Sequence, residues 1–463
     1  MNEPQKSIQN KMSDAGLSEL VQTAFCRSVE VIRSGADGMI AEDAIEPVQD
    51  IADIERLADL TADGKAALPH TVMLKLNGGL GTSMGLDRAK SLLPVRDGMS
   101  FLEIIGRQVL YFRREFDAEV PVIFMNSFRT EQDTLDELSK IDGLTEGQRG
   151  IPFSFLQNKV PKLRRDDHMP VSHPADDALE WCPPGHGDLY VALTQSGVLE
   201  RLIAAGYRYL FVSNADNLGA SLDIDLLGYL AKNDIPFLME VADRTSADKK
   251  GGHIARRRSD GQLVLREIAQ TAYEDIETFQ DVYRHRYFNT NSIWINLNAL
   301  ANVMESHDGI VPLPIIVNEK TVDPSDDGST PVIQMETAMG AALEVFPGSE
   351  AVRVPRSRFL PVKKTNDLLL LTSDYYTLLE SGSLERNAQA SAPDVDLDSR
   401  YFKKINDFQA RFPHGAPSLK DCTSFQVTGD VQFGKAVSVQ GAVSCAAKDG
   451  EKLVIEDGTS LKG

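Results

Sequence analysis

The chain has few cysteines and lacks any long apolar run, and both absences limit what it can be. Its cysteines, Cys26, Cys182, Cys422 and Cys445, are widely spaced and form no C-x-x-C pair, so neither a zinc site nor a disulfide framework is indicated. No stretch approaches the roughly eighteen apolar residues that a membrane span needs, so none is expected. The first residues are polar rather than an apolar leader, and the sequence therefore predicts a cytoplasmic protein.

Positive charge is also in short supply. Lysine and arginine total 48 against 68 aspartates and glutamates, which gives a formal net charge of −20. This balance argues against general nucleic-acid binding and against binding to an anionic membrane surface. A site for an anionic ligand would have to gather local lysines and a metal ion against an unfavourable overall field.

At 463 residues, the chain is too long for one compact core, and its pattern divides into three regions. Residues 1–70 are predicted to be helical, since 17–33 carries apolar residues at helical spacing. Residues 71–380 alternate short apolar strands with amphipathic helices, which predicts an α/β fold with a mainly parallel sheet. The strands are expected at 72–76, 120–125, 209–213, 237–241, 293–297 and 313–317.

The third region, residues 381–463, begins with a segment rich in small and polar residues, interpreted as a linker over 381–398. Beyond it, 425–434 and 437–443 alternate apolar and polar residues with recurring glycines. Short rungs of this kind are typical of a stacked β-solenoid, whose open end tends to pair with another chain. An antiparallel appendage with its own small core fits the same pattern.

A glycine-rich loop follows the first apolar strand and contains the strongest functional signal. Glycines at 78, 79, 81 and 85 let backbone N–H groups approach a polyphosphate closely, and Lys90 supplies a positive charge just downstream. The P-loop pattern fails because Met84 and Ala89 occupy its two glycine positions. The dinucleotide fingerprint fails because its third glycine falls on Met84. The loop points to another kind of nucleotide or sugar-phosphate site.

Further polar residues follow predicted strands or lie in glycine-rich turns. Asp216 stands just past a buried strand, where α/β sheets bind ligands, and is a candidate Mg²⁺ ligand. Gln157 has an amide that could read the edge of a pyrimidine ring. The turn at Gly185 and His186 could press its backbone against a flat base. The amides of Asn289 and Asn291 suit sugar hydroxyls, and Lys363 offers a second positive charge for phosphate.

Several long motifs, in their order along the chain, resemble those of the eukaryotic-type UTP–glucose-1-phosphate uridylyltransferases. They are LNGGLGTSMG at 76–85, SNADNLGA at 213–220, FNTN at 288–291, QMETAMGAA at 334–342 and RSRFLPVK at 356–363. The resemblance extends from about residue 25 to the end. It implies a GT-A-like, Rossmann-type nucleotidyltransferase core in residues 71–380, an N-terminal helical region and a C-terminal left-handed β-helix.

The resemblance also implies roles for individual residues. The loop Leu76, Asn77, Gly78 and Gly79 would take the uridine and phosphates, with Lys90 as its phosphate-binding lysine. Gln157 and Gly185 would read the uracil, Asn214 the ribose, and Asp216 the Mg²⁺. The hexose phosphate would be held by His186, Gly252, Asn289, Asn291 and Glu336, and Lys363 would be the catalytic lysine beside Lys90.

The implied chemistry fits these residue types. An oxygen of glucose 1-phosphate would attack the α-phosphorus of UTP in line and displace pyrophosphate. A phosphate monoester has a second pKa of about 6, so it is mostly a dianion at neutral pH and needs no general base. Lysines and Mg²⁺ would instead relieve the repulsion between the two anions and stabilise charge in the transition state.

Three departures from the family pattern carry expectations of their own. Asp87-Arg88-Ala89 replaces a usual proline before Lys90, so Arg88 is a candidate phosphate ligand. His253 replaces a usual threonine beside the hexose contacts, which suggests relaxed sugar choice, for instance towards galactose 1-phosphate. The sequence ends at Gly463, short of the last rungs through which relatives assemble end to end, so a monomer or a smaller assembly is an alternative to a homo-oligomer through the C-terminal β-helix.

Two other functions can be weighed against these residues. An enzyme that makes UDP-N-acetylhexosamine normally has alanine at the position of Asn77 and arginine at that of Ser83. A catalytically silent nucleotide-sugar sensor would be expected to lose a phosphate lysine or the metal aspartate, whereas Lys90, Asp216 and Lys363 are all present.

Overall fold

The computed structural model describes residues 3–35, 38–387 and 392–463, and its helices and strands are numbered along the chain. The helices α1 to α13 are Glu3–Asp14, Glu19–Arg33, Thr61–Ala67, Phe101–Phe116, Glu131–Leu138, Leu189–Gln195, Val198–Ala204, Ile224–Lys232, Ile276–Phe279, Leu297–Ser306, Thr365–Thr372, Ser399–Phe402 and Ile405–Arg411.

The strands β1 to β26 are Ile45–Pro47, Ala52–Asp53, Thr71–Asn77, Pro94–Arg96, Met99–Ser100, Val122–Asn126, Ser154–Leu156, Val160–Pro161, Leu163–Arg164, Trp181–Cys182, Tyr209–Asn214, Phe237–Asp243, His253–Arg257, Leu263–Arg266, Tyr287–Asn296, Ile315–Thr321, Pro331–Thr337, Glu350–Arg353, Tyr376–Leu378, Leu384–Arg386, Asp394–Leu397, Ser418–Thr428, Asp430–Phe433, Ser438–Ala446, Lys452–Ile455 and Ser460–Lys462.

An 11-stranded mixed sheet forms the centre, with the main order β2-β18-β12-β15-β11-β3-β6-β7. Strands β11, β3, β6 and β7 run parallel, as do β12, β18 and β2, which confirms the mainly parallel α/β core. The prediction missed that β15 lies antiparallel between β11 and β12 and is ten residues long. The strand expected at 313–317 is shifted to Ile315–Thr321 and belongs to a separate small sheet with β17 and β9.

The helical spacing of apolar residues gives each helix an apolar face, and these faces cover both sides of the sheet. Helix α4 begins with the predicted capping box, in which Glu103 N–H donates to Ser100 Oγ and Ser100 N–H donates to the Glu103 carboxylate. Its buried face packs with Phe124, Phe211 and Trp294 on one side of the sheet. A second buried cluster, which includes Tyr190, lies on the other side.

The N-terminal helices pack against the small sheet rather than standing apart. Ile8, Met12 and Phe25 are buried with Leu163 and Ile333 in one apolar cluster. The prediction of a helix at 17–33 is close to the observed Glu19–Arg33, whose first turn is capped by Ser18. No helix in the described part of the chain is long and apolar enough to cross a membrane.

The C-terminal strands pair in parallel, which excludes the antiparallel alternative for 425–443. Strand β22 lies between β21 and β24, β24 continues to β26, and β23 pairs with β25. Phe425, Val427, Val439 and other inward residues belong to the same apolar cluster as the face of the central sheet carrying α4. The predicted linker over 381–398 contains the strands β20 and β21, while 388–391 lies outside the described residues.

Candidate active site

Two loops meet at the carboxyl edge of the central sheet. Strands β3 and β11 are parallel neighbours, and Leu76 stands opposite Asn214 in their register. Ala215 N–H donates to the Leu76 carbonyl at 3.0 Å. The glycine-rich loop after β3 and the loop that carries Asp216 therefore start side by side, at the edge where α/β sheets bind ligands.

Backbone conformation explains the glycines of the first loop. Gly81 and Gly85 have φ of 68° and 75°, a left-handed region that favours glycine, and they bracket a tight turn at Thr82–Met84. A Cβ on Gly78 would stand 2.6 Å from Gln157 Oε1, so the missing side chain lets the Gln157 amide lie against this loop. A Cβ on Gly79 would meet nothing within 4 Å, so the space beside its Cα is open, while its carbonyl accepts from Lys90 N–H at 3.1 Å.

The side-chain amide of Asn77 is buried and hydrogen-bonded to other side chains of the protein. Its Nδ2 donates to Asn126 Oδ1 and to Thr134 Oγ1, both at 2.8 Å, and the residue is 4% exposed. These bonds join β3 to β6 and α5 beneath the loop. A nucleotide contact at Asn77 would have to come from its main chain, and that role stays a prediction.

Lys90 and Asp216 form a direct ion pair across the two loops. Lys90 Nζ lies 2.5 Å from Asp216 Oδ2 and also donates to the Val362 carbonyl. The side chains are only 13% and 24% exposed. Val362 N–H in turn donates to the Asp216 carbonyl at 3.1 Å. The predicted phosphate lysine and the predicted metal ligand thus neutralise each other, next to the residue that precedes Lys363.

His186 is held neutral with a defined proton position. Burial lowers the pKa of His186 to about 4. Its Nδ1 accepts a 3.0 Å hydrogen bond from Met339 N–H, so the proton of the neutral ring is on Nε2. His186 can therefore act as a hydrogen-bond donor through Nε2, but not as a cation.

The turn before His186 is shaped by Gly185, whose φ is +81°. A Cβ there would stand 2.5 Å from the Thr337 carbonyl oxygen and 3.0 Å from the Glu336 Cβ, so this turn packs directly on β17. Burial raises the pKa of Glu336, with Lys320 acting in the opposite direction. The structure brings Gly185, His186 and Glu336 together, and their ligand roles stay predictions.

The two asparagines of β15, Asn289 and Asn291, connect Gly252 to the end of β11. Asn291 has a left-handed φ of 61°, and its Nδ2 donates to Asn214 Oδ1 at 2.8 Å. Its N–H donates to Asn289 Oδ1, also at 2.8 Å. Asn291 Oδ1 is buried without a hydrogen-bond partner among the described residues, and a ligand hydroxyl would satisfy it.

A buried carboxylate that the sequence analysis missed lies beside Gly252. The carboxylate of Glu267 would stand 2.5 Å from a Cβ on Gly252, and Asn289 N–H donates to the Gly252 carbonyl at 3.0 Å. Burial raises the pKa of Glu267 and the nearby Lys363 opposes this. The available signal was its place directly after the apolar strand β14, as for Asp216 after β11.

Unlike that of Lys90, the ammonium group of Lys363 has no hydrogen-bond or ion-pair partner among the described residues. The backbone N–H of Lys363 donates to Asp367 Oδ2 at 2.7 Å, which fixes the start of α11. No hydrogen bond or ion pair joins its ammonium to any residue within 3–35, 38–387 or 392–463. An exposed, unpaired lysine next to Glu267 and one residue from Val362 can meet an anionic substrate directly.

Two of the sequence departures take other partners. His253 is fully buried and stacks on His285, with ring centroids 3.8 Å apart, so its ring faces the protein interior. Relaxed sugar choice at this position stays a prediction. Arg88 is 67% exposed and pairs with Asp133 at 3.5 Å, away from the Lys90–Asp216 pair.

The described residues contain no cluster of three or more metal-ligating side chains. A single carboxylate such as Asp216 still fits Mg²⁺, because this ion commonly takes one or two carboxylates plus substrate phosphates and water. The donor set therefore fits a metal that arrives with a nucleotide.

An α/β sheet with a glycine-rich loop, a lysine–carboxylate pair and a free lysine at one edge defines a nucleotidyltransferase. The family model for UTP–glucose-1-phosphate uridylyltransferase matches residues 23–440. The chain belongs to the UTP–glucose-1-phosphate uridylyltransferase family, which confirms the resemblance drawn from its motifs.

Individual relatives agree with this assignment. The uridylyltransferase of Saccharomyces cerevisiae is 42% identical over 398 residues, 85% of this chain and 77% of the relative. That of Solanum tuberosum is 39% identical over 464 residues, covering 97% and 94%. A solved UDP-glucose pyrophosphorylase variant from Leishmania major, in complex with UDP-glucose, matches with a TM-score of 0.92 and 41% identity over 100% and 98% of the two chains.

Proposed function

We propose that the chain transfers the uridylyl group of UTP to glucose 1-phosphate and releases UDP-glucose and pyrophosphate. The observation that carries this proposal is the edge of the sheet where the Lys90–Asp216 pair, the unpaired Lys363 and the open space beside the Gly79 Cα meet. Family membership supports the same reaction.

The nucleotide would occupy the side built on β3 and β11. The backbone from Leu76 to Gly79 would take uridine and phosphates, Gln157 and Gly185 the uracil edge, and Asn214 the ribose. The Gln157 amide lies against Gly78, which supports a base pocket at this point. Asp216 would hold Mg²⁺, and the ion when bound supplies positive charge to the phosphates.

The hexose phosphate would occupy the side built on β13, β15 and β17. Asn289, Asn291, Gly252 and Glu336 would face the sugar, and we add Glu267 because its buried carboxylate can accept hydroxyl hydrogens. His186 would donate through Nε2. The phosphate dianion attacks without a general base, and Lys363 would stabilise the charge that develops at the α-phosphate.

Binding would require the Lys90–Asp216 pair to exchange partners. The ammonium of Lys90 gains a phosphate oxygen while the carboxylate is freed for a cation. Both groups are mostly buried, so separating them without a ligand leaves charges uncompensated and is costly. Nucleotide and Mg²⁺ are therefore expected to bind with positive coupling.

The region boundaries and assembly are part of the same proposal. We take residues 1–70 as the N-terminal region, 71–380 as the catalytic domain and 381–463 as the linker and C-terminal domain. The parallel pairings of β21 to β26 support a left-handed β-helix there, and its open strand β26 suits a homo-oligomer through this domain. We also propose a cytoplasmic location, which the four free, buried cysteines support because such thiols suit a reducing compartment.

The direct test measures pyrophosphate release from purified protein with UTP, Mg²⁺ and one of three sugar phosphates. Release with glucose 1-phosphate alone is expected. Comparable rates with galactose 1-phosphate would show relaxed sugar choice, and a preference for N-acetylglucosamine 1-phosphate would reassign the substrate. Silence with all three, while UTP still binds, would show a nucleotide-sugar sensor instead.

A further inference from the structure

Lys75 is a fully buried lysine in the middle of the central sheet, with 1% of its surface exposed. It lies on β3, directly opposite Ser213 on the parallel strand β11. Its Nζ donates to Ser213 Oγ and to the Ala220 carbonyl, both at 2.7 Å, and lies 5.5 Å from the centre of the Phe211 ring. Nothing in the proposed transfer step uses this lysine.

The two acceptors of Lys75 are the two ends of one loop. Strand β11 ends at Asn214, one residue after Ser213, and the loop that follows carries Asp216 and reaches Ala220. The rest of the loop is tied elsewhere: Asn217 Nδ2 donates to the Arg358 carbonyl at 3.2 Å, and Gln108 Nε2 donates to the Leu218 carbonyl at 3.1 Å. Lys75 therefore closes the base of the loop.

The neighbouring carboxylate is already committed. Glu240 is fully buried and accepts from Arg358 Nε at 2.7 Å and Arg358 Nη2 at 2.8 Å, and also from Trp294 Nε1. Lys75 is left with two uncharged acceptors. Burial, reinforced by Arg358 and opposed by Glu240, lowers the pKa of Lys75 to about 7.

This arrangement works in either protonation state. A neutral amine keeps two N–H donors, and the side chain has two acceptors to satisfy. The clamp therefore depends on hydrogen bonds and on the length of the side chain rather than on a charge near neutral pH. A side chain of similar volume without donors would fill the space but leave the Ala220 carbonyl without this donor.

We infer that Lys75 is a positioning residue for uridylyl transfer: it clamps both ends of the loop 213–220 and so fixes where Asn214 and Asp216 meet the nucleotide and its cation. The inference rests on the proposed role of Asp216. It predicts an effect on the cation and nucleotide side that spares the hexose side, because Gly252, Asn289 and Glu267 belong to other strands and loops.

The test compares Lys75→Met with Lys162→Met in the full-length protein. Lys162 is a matched control, since it is also buried at 4% and its Nζ donates to a carbonyl, that of Val322, at 2.9 Å outside the proposed site. K75M is expected to lower kcat about 10- to 100-fold and to raise the Mg²⁺ concentration for half-activation about tenfold. The KM for glucose 1-phosphate should stay within about threefold. K162M should change none of the three.

Equal losses in both variants, or a K75M loss that leaves Mg²⁺ activation unchanged, would overturn the inference. Ser213→Ala removes one acceptor with little change in volume and keeps the test decisive if K75M does not fold. It should shift Mg²⁺ activation in the same direction by a smaller factor, and an unchanged value would count against the clamp. Asp216→Ala distinguishes a failure of this inference from a failure of the proposed function. If this variant keeps normal Mg²⁺ activation, the proposed role of Asp216 is wrong, independent of the result for Lys75.

Discussion

The proposed nucleotide side and the proposed hexose side of the candidate site differ in how their polar groups are partnered within the protein. On the nucleotide side, Lys90 and Asp216 pair with each other, and the Lys75 clamp satisfies the loop beneath them. On the hexose side, Asn291 Oδ1 and the Lys363 ammonium have no partner in the described structure, and the Glu267 carboxylate is buried beside Gly252. The first side must exchange partners when ligands bind, whereas the second has unused hydrogen-bonding capacity already in place.

Removing the free lysine should have the largest effect. Lys363→Ala is expected to lower kcat by roughly 10²- to 10³-fold, the loss of one preorganised charge contact in the transition state. Initial rates of pyrophosphate release check this. The adjacent Lys364→Ala, also at an exposed position, is the control and should stay near wild type. A kcat for K363A within about threefold of wild type would show that Lys363 is not catalytic.

The next prediction concerns the stability of the nucleotide side. The pKa of Lys75 falls from 10.5 to about 7 on folding, so between these values the unfolded chain binds more protons and stability rises with pH. The K75M variant has no titrating group at this position, so its stability lacks this rise with pH. The free energy of unfolding of the wild type should therefore increase relative to K75M by about 2 kcal/mol from pH 7 to pH 9. Denaturant titrations at both pH values measure the difference, and a constant difference would mean that Lys75 stays charged in the fold.

The hexose side should respond in KM. Glu267→Gln keeps the shape but weakens hydrogen bonds to sugar hydroxyls, and the KM for glucose 1-phosphate is expected to rise about tenfold. The KM for UTP should not change, which would separate the two sides kinetically. Glu274→Gln, an exposed change in the following loop, serves as the control. An equal rise for both substrates would contradict the division.

The smallest effect is expected at the rim of the nucleotide side. Arg88 is mostly exposed and pairs with Asp133, and exposed pairs of this kind contribute little. Arg88→Ala should change the KM for UTP by less than about twofold. A larger rise would mean that Arg88 leaves Asp133 to bind phosphate, as the sequence alone suggested.

Local signals in the sequence predicted local structure well. The capping box of Ser100 and Glu103 needs only residues three apart, and the turn at Gly81 and Gly85 needs only glycine at the right spacing. The antiparallel placement of β15 depends on which strands it lies between, and the hydrophobic pattern of a buried strand is the same in either direction. Hydrophobic periodicity alone therefore does not predict the order of the strands in the sheet.

The candidate site shows the same limit. Position after a strand was enough to select Asp216, and the same rule would have selected Glu267. It could not show that the Asn77 amide is taken by Asn126 and Thr134, or that His253 stacks on His285, because those partners are distant in sequence. Which polar groups remain free for a ligand is decided by long-range packing.

Val362 gives the two sides of the cleft a mechanical connection. Its carbonyl accepts from Lys90, its N–H donates to the Asp216 carbonyl, and the next residue is Lys363. If a phosphate draws Lys90 away as proposed, the Val362 carbonyl loses this donor while its N–H still donates to Asp216, so the segment bearing Lys363 is held by one hydrogen bond fewer. By thermodynamic reciprocity, a sugar phosphate that favours the resulting position of Lys363 would strengthen nucleotide binding by the same factor. The binding of one substrate would thus be coupled to the binding of the other before the reaction begins.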